Sequence, residues 1–263
     1  MAGDAMSDSG PSVAVVGAAR GMGRAAALRL AGSGRPVAAL DLESPCPDLG
    51  YELGNIAEAD LPDEVARIGA DFRDPDQAAR AALEAEGALG CVDQLVVTAG
   101  GVVGGGRLWE APADELRLAL DFNLVVLHNA VRAFVPLLRR GHHPTSRRIV
   151  AVVSVAGDRG LWGLGAYTAA KHAMVGYLRT LALELAEERI GVNWVSPGST
   201  RTAMLDRTAA LYGLASADEF KQHQPFGRLI EPDEIAAAIE FLLSPGAAGM
   251  TGVDLRVDAG MGL

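Results

Sequence analysis

Short runs of β-branched and apolar residues alternate along this chain with longer segments rich in alanine and leucine. The apolar runs are residues 13–16, 36–40, 66–70, 94–97, 148–153, 191–195 and 253–257, and helices are predicted at residues 22–32, 75–86, 113–139, 165–188 and 232–243. This alternation is typical of βαβ units and a parallel sheet. The nearly continuous apolar character of the runs indicates strands covered by helices on both faces. We therefore expect an α/β fold, a doubly wound parallel sheet of about seven strands flanked by helices.

No internal repeat, low-complexity tract or linker interrupts this pattern, so residues 1–263 are predicted to form a single domain. Residues 1–11 are polar and acidic and are predicted to be a disordered N-terminal tail. Two connections, residues 43–63 and 200–224, look long and irregular. The first is rich in proline and glycine and is predicted to be a loop, with or without a short helix. Such connections usually serve as lids or binding loops.

Composition argues against several classes of partner. The net charge is −10 and no lysine or arginine cluster is present, so nucleic acid is not an expected partner. Cys46 and Cys91 lack the spacing of a zinc site or a disulfide framework, so no metal is expected. No signal peptide and no apolar run of about 20 residues is found, so we expect no membrane segment and a cytoplasmic location.

A glycine-rich turn, Gly17-Ala-Ala-Arg20-Gly21-Met22-Gly23, connects the first predicted strand to the first predicted helix. Glycines permit a tight turn and let the backbone approach a pyrophosphate, while the helix N-terminus supplies free N–H groups and the positive end of its dipole. The position between strand and helix is the one that a Rossmann-type dinucleotide-binding motif requires. A purely structural turn is the alternative.

Tyr167 and Lys171 are spaced i, i+4 on a predicted helix, so their side chains share one face. A free phenol has a pKa of about 10, too high for a base at neutral pH, and a nearby ammonium is expected to lower it. Of the 23 basic residues only Lys171 and Lys221 are lysines, so the retention of lysine beside this tyrosine points to a specific role. A surface tyrosine–lysine pair is the alternative.

Two further polar residues lie where chemistry is expected. Ser154 follows a predicted strand, and ligands of doubly wound sheets bind at the carboxyl ends of strands. Asn123 lies inside a predicted helix, where propensity does not favour it. A turn serine and a packing asparagine are the alternatives.

The G-x-x-x-G-x-G turn, the Y-x-x-x-K pair and a serine 13 residues before the tyrosine resemble the short-chain dehydrogenase/reductase family, over about residues 13–260. The resemblance implies hydride transfer between an alcohol or ketone substrate and a nicotinamide, with Tyr167 as the acid/base. Ser154 would polarise the substrate oxygen, Lys171 would tune the phenol and hold the nicotinamide ribose, and Asn123 would hold a water. It also implies a homotetramer or homodimer, with residues 113–139 and 165–188 forming the subunit surfaces.

The same resemblance assigns a cofactor site. Its members are Gly17, Arg20, Gly21, Met22, Gly23, Asp41, Leu42, Asp71, Phe72, Ala99, Gly100, Pro197, Gly198, Thr200 and Thr202, together with Tyr167 and Lys171. Asp41 would accept hydrogen bonds from the adenosine ribose and repel a 2′-phosphate, which favours NAD. Arg20 occupies the position that binds phosphate in relatives using NADP, the less favoured alternative. Val97 and Thr98 replace two asparagines of the family pattern, a departure that concerns sheet stabilisation and cofactor packing more than the chemistry.

The long stretch at residues 43–63, together with residues 108–110, 158–162, 196–204 and 210–213, resembles the mycofactocin-associated NAD-dependent subgroup, whose members re-oxidise a tightly held nicotinamide in place. A ketoreductase that tailors a secondary metabolite is the main alternative. A non-catalytic dinucleotide-binding sensor is a further one, which the presence of all four catalytic residues disfavours. Trp162 and residues 200–224 are expected to form the substrate wall, although Trp162 would also suit a core or an interface.

Overall fold

The computed structural model describes residues 10–44, 49–51 and 53–263. Most of the predicted tail and Cys46 lie outside the described residues. The strands are β1 (Val13–Val16), β2 (Val37–Asp41), β3 (Ala66–Gly69), β4 (Gln94–Val97), β5 (Arg148–Val152), β6 (Gly191–Pro197) and β7 (Asp254–Val257). The helices are α1 (Gly21–Gly32), α2 (Pro75–Leu89), α3 (Glu115–Leu120), α4 (Val126–Leu138), α5 (Gly165–Glu184), α6 (Ala203–Leu211) and α7 (Pro232–Leu243).

The strands form one seven-stranded parallel sheet in the order β3-β2-β1-β4-β5-β6-β7. Alternate side chains of β1 point to opposite faces, so Val13 and Val15 pack with α1 and α7, while Ala14 and Val16 pack with α2, α4 and α5. Helices therefore cover both faces of the sheet, and the predicted α/β doubly wound fold is confirmed.

Register decides where the functional residues meet. Val16, the last residue of β1, pairs with Leu40 of β2 and with Val97 of β4. The carboxyl ends of these central strands therefore lie level at one edge of the sheet. The strand order reverses between β1 and β4, and a doubly wound sheet binds its ligand in the crevice at such a switch point. The residues that follow these strands surround that crevice.

The predicted helix at residues 113–139 is interrupted. α3 ends at Leu120, the segment Asp121–Val125 forms a π-helical turn, and α4 begins at Val126. The helix predicted to end at residue 188 ends at Glu184, and β2 and β6 extend to Asp41 and Pro197.

The prediction of an irregular connection at residues 200–224 is wrong. That segment holds α6 and a 3₁₀ helix, Ala217–His223. Thr202 caps α6 by accepting from Leu205 N, and Ser216 forms a capping box with Glu219, so both helix starts follow ordinary N-terminal rules. In the described part of residues 43–63 a short 3₁₀ helix forms at Ile56–Glu58. This agrees with the predicted alternative of a loop that contains a short helix.

Within the described part of the chain, the stretch Glu115–Leu138 has the length and apolar composition of a membrane-crossing helix. Half of its apolar window is buried inside the protein, however, and core helices pass the same test.

Candidate active site

The glycine turn is fixed by close backbone contacts. A Cβ on Gly17 would lie 2.4 Å from Ala99 N, and one on Gly23 would lie 2.0 Å from Gly17 O. Gly17 also has a φ of +89°, in the left-handed region. Thr98 Oγ1 lies 3.0 Å from each of Val16 O and Gly17 O and donates to them. Thr98 thus holds the turn against β4, at the position where the family pattern has asparagine.

Asp41 is the last residue of β2, and its carboxylate is bound on both oxygens. Oδ2 accepts from Ala19 N at 2.9 Å and Oδ1 accepts from Leu42 N at 2.8 Å. Burial raises the pKa of Asp41, while these two hydrogen bonds and the charge of Arg20 oppose the rise. Each carboxylate oxygen can accept a second hydrogen bond. The carboxylate therefore suits two neighbouring hydroxyl donors such as those of a ribose.

Beside the turn lies the first cavity, of about 870 Å³. Twelve of the predicted cofactor residues line it: Gly17, Arg20, Gly21, Met22, Gly23, Asp41, Leu42, Asp71, Phe72, Ala99, Gly100 and Thr202. The Asp71 carboxylate is paired with the Arg73 guanidinium at 2.6 Å. The volume, the glycine turn and the bound Asp41 carboxylate fit a dinucleotide.

A second cavity, of about 510 Å³, adjoins the first. The predicted residues Ser154, Tyr167, Pro197, Gly198 and Thr200 line it, and Trp162 lies in its wall as expected. Met22, Thr202 and Met204 border both cavities. A ligand that fills the first cavity would therefore end beside a ligand held in the second.

Ser154 and Tyr167 meet in the wall of the second cavity. Ser154 follows β5, and its hydroxyl accepts from Ala156 N at 3.1 Å, which caps a short 3₁₀ turn. The same hydroxyl lies near the Tyr167 phenol and lowers its pKa, against the effect of burial. Tyr167 lies in the first turn of α5, and Lys171 follows it on the same face.

Burial, more than charge, governs the protonation of this pair. It raises the pKa of Tyr167 to about 12, opposed by the hydrogen bond to Ser154, and lowers the pKa of Lys171 to about 7. Lys171 Nζ lies 5.6 Å from the centre of the Tyr167 ring and donates to Val152 O at 3.5 Å. Burial therefore outweighs the lowering of the tyrosine pKa that is expected from a neighbouring lysine, because the apolar surroundings disfavour both charged forms.

Asn123 lies in the π-helical turn, fully buried. Its Nδ2 donates to Gly101 O at 2.9 Å and to Ala119 O at 2.8 Å, while Oδ1 has no partner among the described residues. A Cβ on Gly100 would lie 2.9 Å from Asn123 Oδ1 and 3.4 Å from Lys171 Nζ. A buried acceptor and an ammonium beside a glycine suit a bridging water. Asn123 and Lys171 line neither cavity, so of the predicted residues these two lie beneath the site.

Gln224 is the last residue of the predicted substrate-wall segment, residues 200–224, but no individual role is predicted for it. This buried side chain donates through Nε2 to Ser199 O at 3.2 Å, and a Cβ on Gly198 would lie 2.6 Å from its Oε1. Gln224 therefore supports the loop after β6, which lines the second cavity. Its sequence neighbourhood is polar and gives no burial signal, so only the fold reveals the contact.

Among the described ranges, no group of three histidine, cysteine, aspartate or glutamate residues could hold a metal ion.

Known proteins resemble the chain over almost its whole length. The family model described as enoyl-(acyl carrier protein) reductase matches residues 17–262. An uncharacterized NAD-dependent oxidoreductase of Mycobacterium tuberculosis is 34% identical over 94% of each chain. The (−)-trans-carveol dehydrogenase of Rhodococcus erythropolis is 32% identical over 94% of this chain and 95% of its own.

Among solved structures, the carveol dehydrogenase of Mycobacterium avium in complex with NAD superimposes with a TM-score of 0.87, at 31% identity over 97% of this chain and 98% of its own. The 3-ketoacyl-(acyl-carrier-protein) reductase of Brucella melitensis, complexed with NADH, gives 0.83 at 26% identity, over 97% of this chain and 99% of its own. The sequence matches, the sheet order and the site geometry agree, and the chain belongs to the short-chain dehydrogenase/reductase family of oxidoreductases.

Proposed function

We propose that the protein interconverts a secondary alcohol and a ketone with NAD, and that Tyr167 is the general acid/base. The observation that carries this proposal is the proximity of the Ser154 hydroxyl and the Tyr167 phenol in the wall of the second cavity, which adjoins the cavity that fits a dinucleotide. A bound nicotinamide would supply the hydride acceptor or donor. The relatives described as NAD-dependent, or solved with NAD or NADH, support the choice of cofactor.

Side chains of the protein itself carry out the proton transfer. In the reducing direction the Tyr167 phenol donates its proton to the substrate oxygen, and in the oxidising direction it accepts the hydroxyl proton. The Ser154 hydroxyl holds that oxygen. Because the pKa of Tyr167 is about 12, the phenol is protonated at neutral pH and is ready to act as an acid. Oxidation requires phenolate character, which a protonated Lys171 stabilises. Asn123 and Lys171 together hold the water that exchanges this proton.

Asp41 underlies the preference for NAD over NADP. Its half-buried carboxylate lines the first cavity, and a 2′-phosphate there would meet a negative charge. Arg20 lies with its guanidinium 5.5 Å from the centre of the Tyr51 ring, engaged in a cation–π contact. Arg20 is thus already partnered by an aromatic ring.

Replacement of Tyr167 by phenylalanine tests the acid/base assignment. Tyr167→Phe should lower kcat by at least about 100-fold, a typical contribution of a general acid/base, while NAD affinity stays within a few-fold. Tyr177→Phe is the matched control, since Tyr177 lies ten residues further along α5 and its hydroxyl contacts His128 Nδ1 at 3.2 Å, away from both cavities. Near-normal turnover of Tyr167→Phe would exclude the assignment.

A segment after β2 lies over the first cavity. We call residues 49–51 and 53–55 the strap. Leu49 is 3% exposed and packs with Phe122, and a Cβ on Gly54 would lie 3.2 Å from Asp41 Oδ2. Between them, Tyr51 OH accepts from Val102 N at 3.4 Å. The strap thus contacts both the Asp41 end of the first cavity and Val102, which lines the second cavity.

From the strap and the sequence resemblance we infer a mycofactocin-associated dehydrogenase, in which NAD is held through many turnovers and re-oxidised in place. Protein purified without added nucleotide should then carry close to one NAD(H) per chain, measured by mass spectrometry after denaturation. Turnover should require an artificial electron acceptor and not free NAD. Empty protein that exchanges NAD freely would instead favour an ordinary dehydrogenase or a ketoreductase.

We also propose that the protein is a cytoplasmic homotetramer or homodimer. The helices expected to form the subunit surfaces carry exposed leucine side chains, Leu116 on α3 and Leu183 on α5. Contact between copies would cover them. Light scattering coupled to size exclusion gives the mass directly, and a monomer at micromolar concentration would contradict this proposal.

A further inference from the structure

Few of the hydroxyl groups that line the second cavity are free to donate to a ligand. Ser154 and Tyr167 line this cavity, and their hydroxyls lie close to each other. Other hydroxyls in the wall already donate within the protein: Thr208 Oγ1 to a carbonyl one turn earlier in α6 at 2.8 Å, and Tyr212 OH to Trp162 O at 2.5 Å. A ligand therefore meets available hydroxyl donors where its reacting oxygen lies, and few elsewhere.

The remainder of the wall is mainly apolar and carries no fixed charge. Val102, Leu161, Leu164, Leu205, Leu214 and Met261 supply much of it. Among the described residues, no lysine, arginine, aspartate or glutamate lines this cavity, and His223 stands at its exposed edge. A carboxylate or phosphate inside would lose its hydration without gaining a partner, which is strongly unfavourable.

Two aromatic side chains form the outer wall. The Trp162 ring stacks on Tyr212 with centroids 6.3 Å apart and planes inclined by 25°. Trp162 follows the Ser154 turn and Tyr212 follows α6, so the stack and the Tyr212–Trp162 hydrogen bond join opposite sides of the cavity. Trp162 nevertheless remains 72% exposed. A large apolar face exposed at the mouth of a cavity is typical of a ligand contact.

We propose that the substrate is a compact, uncharged, mainly hydrocarbon secondary alcohol or its ketone, and that the Trp162–Tyr212 pair determines this specificity. The inference rests on the proposed function and narrows it. The carbinol would be the principal polar group, held by Ser154 and Tyr167, with the hydrocarbon body against the aromatic pair. The volume of about 510 Å³ suits a small ligand. Acyl thioesters on large charged carriers and polyhydroxylated acids carry groups that this wall leaves unpaired.

Two probes of nearly equal shape test the substrate class. In 4-isopropylcyclohexanol and 4-hydroxycyclohexane-1-carboxylate the ring and the carbinol are the same, and a branched alkyl group in one takes the place of a carboxylate in the other. Cyclohexanol is the small reference, and 3-hydroxybutyryl coenzyme A represents thioesters. With NAD and an artificial electron acceptor present, we expect kcat/KM for the isopropyl compound to exceed that for the acid and for the thioester by at least about 100-fold.

Equal or better turnover of the acid or the thioester would overturn the inference and leave the proposed function intact. The same holds if cyclohexanol reacts and the isopropyl compound does not. If folded protein with bound NAD oxidises none of the four alcohols and reduces none of the matching ketones, the proposed function itself fails.

A pair of tryptophan variants tests the aromatic wall. Trp162→Ala should raise KM for 4-isopropylcyclohexanol by about tenfold, with the loss in KM and not in kcat, because the side chain contacts the hydrocarbon body and not the reacting atoms. Trp109→Ala is the matched control, since Trp109 is 76% exposed and lines neither cavity. Equal KM values for the two variants would remove Trp162 from the specificity determinants.

Discussion

Lys171 is a buried cation whose effect on stability can be worked out from its surroundings. A pKa lowered from 10.5 to about 7 means that burial disfavours the ammonium. Each pKa unit corresponds to about 1.36 kcal/mol, so the charged form of Lys171 destabilises the folded protein by roughly 4 to 5 kcal/mol. The hydrogen bond from Lys171 Nζ to Val152 O is long, at 3.5 Å, and offsets little of this destabilisation. Replacement by methionine, which has similar volume and no charge, should therefore stabilise the protein.

The gain should depend on pH. Below pH 7 Lys171 is protonated in the folded and unfolded states alike, so the full destabilisation is present. As the pH rises from about 7 towards 10.5, the folded state carries a neutral amine while the unfolded state still binds a proton, so wild-type stability increases with pH. The advantage of Lys171→Met should then decrease from roughly 4 to 5 kcal/mol at pH 6 to about 2 kcal/mol at pH 9.

Guanidinium unfolding of nucleotide-stripped protein, followed by circular dichroism at pH 6, 7.5 and 9, measures the difference. Turnover of Lys171→Met should be lost at each pH, which separates the functional role from the stability effect. Lys221→Met is the control, because Lys221 is partly exposed and paired with Asp218 at 3.0 Å, and its loss should give no pH-dependent gain. The reasoning would be refuted if Lys171→Met were less stable than wild type at pH 6. It would also be refuted if the difference in free energy of unfolding between the two proteins were the same at every pH.

Three other substitutions probe separate parts of the site. Asp41→Asn removes the charge but keeps an acceptor for Ala19 N, so NAD affinity should fall about tenfold and the NADP/NAD ratio of kcat/KM should rise; an unchanged ratio would contradict the role of the carboxylate. Gly100→Ala places a Cβ 2.9 Å from Asn123 Oδ1 and should reduce kcat by at least about tenfold with little change in Tm, as steady-state kinetics and calorimetry can show. Leu49→Ala should release the strap and accelerate NAD dissociation at least about tenfold in stopped-flow fluorescence, and an unchanged rate would exclude a retaining role.

Much of the fold follows from local sequence rules. Alternating apolar runs and helical segments identify the seven strands, and the glycine turn follows from residues that tolerate no Cβ. Asp41 lies at the end of β2, where a carboxylate can reach the crevice. Ser154 and Tyr167 are far enough apart in sequence that only the parallel register and the start of α5 bring them together. The 13-residue spacing between Ser154 and Tyr167 could therefore be interpreted only through the resemblance to the family, and not from secondary structure.

Other properties depend on tertiary burial and are not visible in sequence. The pKa of Tyr167 is raised and not lowered because the phenol and the ammonium share an apolar environment, which no spacing reveals. α6 was hidden in a segment interpreted as a loop, although Thr202 offered a capping signal. The aromatic wall of the second cavity depends on Tyr212 meeting Trp162 across a gap of fifty residues.

The π-helical turn makes the placement of Asn123 a matter of residue count. A π turn is equivalent to one extra residue in an α-helix, and each helical residue rotates by about 100°. Deleting a single residue from Asp121–Val125 would let α3 and α4 merge into one regular helix, and Asn123 would then be turned by about 100° relative to one of the two helices. Such a regular helix would form more easily, but the protein that carries it would have lower catalytic activity. Sequences that keep the asparagine but lose one neighbouring position would therefore have the side chain without its function.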